Sequence, residues 1–192
     1  MAADHELFDL GDFPLEGGTV LRGATLAFKT YGALNAGKTN AIVYPTAYSG
    51  LLADNASRIG AGKALDPARW FIITPALFGN GQSSSPSNTP APHDGPHFPA
   101  VTIADNVRAQ HRLVTERFGI GRLALVTGFS MGVCRATSGP RPIPTWWSAS
   151  RRLPERLAVR VTTMCFLRAS RRRSKPTPPS MTGLTRNRRC AD

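Results

Sequence analysis

The sequence predicts an α/β fold, a three-layer α/β/α sheet, over residues 1–132, followed by a basic tail, 133–192, that reads as disordered. Three observations carry this. Short apolar runs bounded by Gly and Pro recur at 41–44, 70–74 and 123–127, the pattern of strands covered on both faces. Between the last two runs lies a stretch with apolar residues at helical spacing. Composition then changes abruptly after Gly132, where acidic residues almost vanish.

In chain order, "TVLRGATLAFKTYGAL" holds β-branched and aromatic residues in partial alternation interrupted by Gly23, which predicts a β-hairpin from about residue 20 to 31. "NAIVYPTAYSG" is a short strand running into a loop, and "RWFIITPALFGNGQSSS" is a second, ended by Gly79 and Gly81. "TIADNVRAQHRLVTERFG" predicts a helix. Thr102 is its N-cap with Asp105 three residues on, while Ile103, Val107, Leu113, Val114 and Phe118 supply the apolar stripe, and Gly119 is the stop. "RLALVTG" is a fourth buried strand. Strands alternating with loops and a helix define the layered sheet.

The 192 residues carry a net charge of +12, which for the chain as a whole would suggest a nucleic-acid or anionic-membrane partner. The charge is not spread evenly. Residues 1–132 hold ten basic and ten acidic side chains, whereas 133–192 hold fourteen basic ones against Glu155 and Asp192 alone. "RASRRRSK" in the tail could attract RNA or an anionic surface through phosphate contacts, without sequence specificity. Cys134, Cys165 and Cys190 are odd in number and lack metal-ligand spacing, so neither a disulfide framework nor a zinc site is indicated. "MAADHELFDLGDFPLEGG" has no apolar leader core, and no long apolar run follows; a cytoplasmic protein without a membrane or bound cofactor is expected.

Chemistry concentrates at Gly128-Phe129-Ser130-Met131-Gly132, a G-x-S-x-G sequence placed directly after a predicted strand. In that context the serine sits on a strained strand-to-helix turn, and Gly128 and Gly132 let the backbone pass closely; an ordinary glycine turn is the alternative. Ser130 is then a nucleophile for acyl chemistry, which also requires an oxyanion hole. The Met131 backbone N–H is one donor. The second should come from the loop after an earlier strand, "PTAYSG", and the Tyr48 backbone N–H is the candidate; alone, that loop reads as plain surface. Two other patterns are rejected. "SRIGAGKA" has Ser57 and Ala64 where a phosphate-binding loop needs Gly and Ser/Thr. His93 and His97, with Asp94 between them, lie on a proline-rich loop with too few ligands for a metal.

With the elbow placed, "NAIVYPTAYSG", "IGAGKALDPARWFIITPALFGNGQSSSPS" and "FPAVTIADNVRAQHRLVTERFGIGRLALVTGFSMG" together resemble the N-terminal half of the homoserine O-acetyltransferase-like family of α/β-hydrolases, over roughly residues 18–132. The resemblance implies an incomplete α/β-hydrolase-type sheet. It also implies an acyltransferase in which Ser130 takes an acetyl group from acetyl-CoA and passes it to a small alcohol, Tyr48 lies in the oxyanion loop, and dimers occur. Departures from the acetyltransferases stand at Thr46-Ala47-Tyr48-Ser49-Gly50, in place of a His-Ala-Leu-Thr-Gly type loop, at Phe129, in place of Gly, and at Gly79-Asn80-Gly81-Gln82-Ser83-Ser84, in place of Gly-Gly-Cys-Lys-Gly-Ser. An esterase, or transfer to an alcohol other than homoserine, fits equally well.

The tail does not continue this plan. In the fold the catalytic order is Ser, then Asp or Glu, then His, yet His5, His93, His97 and His111 all precede Ser130. The genetic code supplies a reason. Trp146-Trp147 can only be TGG TGG, so reading one base earlier turns 147 into valine, 146 into Met, Leu or Val, 145 into Asp, Asn, His or Tyr, and 144 into Pro, Ser or Thr. The family continues here with Tyr-Pro-Asp and then commonly Met-Val or Arg-Val. The same phase allows glutamine at Arg135 and tryptophan at Gly139, and forces valine at Cys165. From about Val133 onward the chain therefore reads as a shifted-frame translation. Such a chain is expected to be inactive and poorly folded, because a whole domain is stable by only roughly 5–15 kcal/mol and an unpaired strand edge invites aggregation.

Overall fold

The computed structural model describes residues 4–48 and 50–128. Its first two strands, β1 (Glu6–Pro14) and β2 (Val20–Tyr31), pair antiparallel from Glu6↔Phe28 to Pro14↔Val20. The hairpin expected inside 20–31 is thus a single strand whose partner is the earlier Glu6–Pro14 segment. The physical reason lies in the glycines. Gly23, at φ 55, faces the irregular stretch of the ladder and donates to Asp12 Oδ1 at 3.2 Å, so it absorbs a bulge. The turn is made by Gly18, at φ 85, whose N–H reaches the Leu15 carbonyl at 3.0 Å.

Three further strands, β3 (Ala41–Val43), β4 (Phe71–Pro75) and β5 (Leu125–Val126), complete a sheet of order β1-β2-β4-β3-β5. β4 runs antiparallel to β2, while β3 is parallel to both β4 and β5. All of β3 and β4 is buried, as continuous apolar runs require. Alternate residues serve opposite faces. Val43 and Ile73 join a large cluster with Phe13, Phe28, Val107, Leu113 and Val126, whereas Ile42 and Ile72 pack with Tyr44, Ile59 and Leu65 on the other side. β5 is shorter than its apolar run, but the N–H groups of Ala124 and Thr127 extend its ladder to Ala41 and Val43, at 2.8 and 3.0 Å.

A short helix, α1 (Leu52–Ala56), follows β3, and α2 (Ile103–Arg112) crosses from β4 to β5. Thr102 caps α2 as predicted. Its hydroxyl accepts the Asp105 N–H, and Asp105 in turn accepts the Thr102 N–H. The helix continues through a wider turn over Leu113–Arg117 and stops where Gly119 adopts φ 61. Phe118 anchors this end edge-on against Phe28 and Phe71, with ring centroids 5.8 and 5.3 Å away.

Candidate active site

Because β3 and β5 are adjacent and parallel, the segments leaving them emerge at one edge of the sheet. The Tyr48 loop leaves β3 there, and Gly128, first residue of the elbow, leaves β5 there. The topology therefore brings the Tyr48 loop and Gly128 to the same edge. Ser130, Met131 and Gly132 lie outside the described residues.

The Tyr48 loop is held from beneath. Past the end of β3, Tyr44 N–H donates to the Ile73 carbonyl at 2.8 Å and Thr46 N–H to that of Pro75 at 3.2 Å, so the β3–β4 ladder runs on into the loop. The Asn55 amide donates to the Tyr44 carbonyl at 3.0 Å, and Gly50 N–H closes a turn on Ala47 at 3.2 Å. Tyr48 itself is 72% exposed. None of the hydrogen bonds among the described residues uses its N–H.

The loop after β4 is a second support, and its construction was not legible in the sequence. Ser83, Ser84 and Ser85 are buried, and their hydroxyls serve backbone groups. Ser84 Oγ accepts the Thr25 N–H at 2.8 Å, Ser83 Oγ accepts that of Ala27 at 3.0 Å, and Ser84 N–H donates to the Thr25 carbonyl at 3.0 Å. These residues continue the edge of β2 where β4 has ended. Ser85 Oγ accepts the Gly81 N–H at 2.7 Å, tightening the loop on itself. From this loop Gln82 accepts the Leu52 N–H at 2.9 Å and Asn80 reaches the Gly50 carbonyl at 3.4 Å, which ties it to the Tyr48 loop.

The start of α2 is the third support. Asn106 Oδ1 accepts the Phe78 N–H at 3.0 Å, fixing the chain as it leaves β4. Asp105 is fully buried. Burial, the largest single influence, pushes its pKa up, but the N–H groups of Thr102 and Glu16, the Arg108 guanidinium and the Thr102 hydroxyl outweigh it together and hold the carboxyl below its ordinary value. Between these supports runs an open groove of about 470 Å³ whose apolar walls include Tyr48, Leu77, Phe78, Phe98, Val101 and Ile103.

The rejected motifs are occupied locally. Lys63 donates to the Ser57 carbonyl at 2.6 Å, so "SRIGAGKA" is a loop closed by its own lysine. His93 Nε2 donates to the Val20 carbonyl at 3.0 Å, far along the chain from the elbow. Among the described residues no cluster of three metal-ligating side chains occurs, and no helix is long and apolar enough to cross a membrane.

Sheet order, crossover helix and the shared edge are those of an α/β-hydrolase. The acetyl esterase MekB superimposes with a TM-score of 0.67 at 50% identity, over 69% of this chain and 39% of that one. More narrowly, the N-terminal two thirds of the chain is homologous to the homoserine O-acyltransferases and acetyl esterases of that fold. It is 52% identical over 128 residues to an ethyl acetate hydrolase of Pseudomonas veronii, covering 66% of this chain and 37% of the relative. It is 36% identical over 150 residues to a homoserine O-acetyltransferase of Geobacter sulfurreducens, covering 69% and 40%. The chain thus spans about two fifths of the length of the curated relatives it matches. No protein-family model matches it.

Proposed function

We propose that this gene, read in one phase throughout, encodes a serine esterase acting on short acyl esters such as acetates, and that the 192-residue chain is its inactive, frame-shifted form. The observation that carries the esterase reading is the 52% identity to an ethyl acetate hydrolase, against 36% to a homoserine O-acetyltransferase. The departures at Thr46–Gly50 and at Phe129 point the same way. Transfer of an acetyl group from acetyl-CoA to a small alcohol is the second reading, supported by the acetyltransferase match.

In the esterase, Ser130 Oγ attacks the ester carbonyl, and the Tyr48 and Met131 N–H groups receive the negative charge that develops on its oxygen. The alcohol leaves with a proton, and water then releases the acid from the acyl-serine. Both proton transfers need a histidine held by an acid. None of the four histidines follows Ser130, so the hydroxyl in this chain stays protonated and weakly nucleophilic. The matched share of the chain, 66–69%, supports a break near residue 132 of 192. The fourteen basic residues beyond it give the tail an affinity for nucleic acid that is a by-product of the shift.

The test is to sequence the gene and translate it one base back from about codon 133. An open phase containing Asp and His is expected. The frame-restored protein should hydrolyse ethyl acetate faster than it acetylates homoserine, and Ser130→Ala should reduce that hydrolysis at least about a thousandfold. Stop codons crowding the alternative phase, or ester turnover by the 192-residue chain itself, refute the proposal.

A further inference from the structure

α1 begins directly after the Tyr48 loop, and the N–H groups of its first turn have no acceptor inside the helix. A polar side chain just ahead of such a helix ordinarily accepts one of them, but the residue in that place is Leu51, which offers no acceptor. The acceptor is supplied from another loop. Gln82 Oε1 takes the Leu52 N–H at 2.9 Å, 30 residues away along the chain.

Gln82 is itself fixed. Asn80 Oδ1 accepts the Gln82 N–H at 3.0 Å and the Ser83 N–H at 3.3 Å, and the buried Ser83 and Ser84 that follow are bonded to Ala27 and Thr25 of β2. The Leu52 side chain is buried against Ala27 and against Ala76, just past β4. On the other side of Tyr48, the buried Asn55 amide holds the Tyr44 carbonyl at 3.0 Å. Tyr48 therefore lies between two backbone points held by amide side chains, Tyr44 and Leu52, and the second hold comes from Gln82 alone among the printed side chains of the β4 loop.

We propose that Gln82 is a positioning residue for the Tyr48 loop: by accepting the Leu52 N–H it sets where α1 begins, and so where the Tyr48 N–H is presented. This rests on the Tyr48 N–H being an oxyanion donor in the esterase. Removing such a donor outright lowers turnover roughly 100- to 1000-fold, and a displacement of about 1 Å at reacting groups lowers it about a hundredfold. Loosening the donor while leaving it in place has a smaller effect of the same kind.

The experiment uses the frame-restored protein with Gln82→Met, which keeps the length and removes the acceptor, and Gln82→Glu, which keeps an acceptor. Gln82→Met should lower kcat for ethyl acetate about tenfold with KM within about twofold. Hydrogen exchange at the Leu52 amide should accelerate about tenfold or more in Gln82→Met while β2 and β4 are unchanged, and Gln82→Glu should keep that amide as protected as in the parent. A kcat for Gln82→Met within twofold of the parent overturns the assignment. So does exchange at Leu52 that is as fast in Gln82→Glu as in Gln82→Met. A fall in Tm for Gln82→Met with kcat per folded molecule unchanged also overturns it, since the bond would then serve stability alone. A parent that hydrolyses no ester refutes the esterase reading and this role with it, whereas an active parent beside an equally active Gln82→Met refutes the role alone.

Discussion

The two ends of the sheet are built differently. At the β1 end, a nine-residue strand and a twelve-residue strand pair from Glu6↔Phe28 to Pro14↔Val20, and Leu21, Leu26 and Phe28 beneath them are essentially inaccessible. At the β5 end, two residues pair, and the loops after β3 and β4 are ordered by side chains bonded to backbone, Asn55 to Tyr44 and Asn106 to Phe78. One end is stabilised by apolar area and a long ladder, the other by individually placed polar groups. The first tolerates small errors. The second depends on every partner being present, and it is the end at which Gly128 leaves the sheet.

The comparison can be broken most forcefully in the core. In the frame-restored protein, Phe28→Ala should cost about 3–5 kcal/mol in urea unfolding, because it empties a fully buried ring site and loses the contact with Phe118. Val126→Ala, at the β5 end, should cost only about 1.5 kcal/mol. Equal effects would mean that the two ends are not distinct. Next comes Gly32→Ala. Gly32 has φ 78, and an added Cβ would lie 2.2 Å from the Trp70 carbonyl oxygen and 2.4 Å from that of Pro67, so a loss of roughly 2–4 kcal/mol is expected from the same measurement.

Asp105 sharpens the comparison at the polar end. Asp105→Asn should lower stability at neutral pH by about 2 kcal/mol, since it removes the capping carboxylate and the partner of Arg108. The sign with pH follows from the lowered pKa. The unfolded chain binds the proton more readily, so this contribution is present above roughly pH 4 and is lost as pH falls through the folded value. Stability measured from pH 7 to pH 3 should fall less steeply in Asp105→Asn than in the parent. The smallest effect belongs to the exposed Arg112–Glu116 pair, 2.7 Å apart. Glu116→Gln should cost about 0.3–0.5 kcal/mol at low salt, and the difference should shrink at 1 M salt.

What could be read in advance follows the same division. Apolar periodicity and caps are local signals, and they located β3, β4 and α2 with its Thr102 cap to within a residue or so. The placement of Tyr48 and Gly128 on one edge needed only the motif and the layered fold. β1 was missed because "ELFDLGDFP" alternates too irregularly around Gly11 to announce a strand, and its pairing with β2 is settled by tertiary contact. The buried serines were missed because Ser-Ser-Ser after glycines has the composition of an exposed turn, and nothing local distinguishes a hydroxyl that hydrates from one that replaces a strand.

Asp105 has one further consequence. Its carboxylate accepts the Glu16 N–H just beyond β1, while Arg108, which bonds to it, also donates to the Pro14 carbonyl at 2.7 Å. The amino-terminal hairpin and α2 therefore share one acidic pin. Trimming the leading sixteen residues would do more than shorten a distant ribbon: it would unseat the helix at its root and transmit slack to the Phe78 backbone that Asn106 holds.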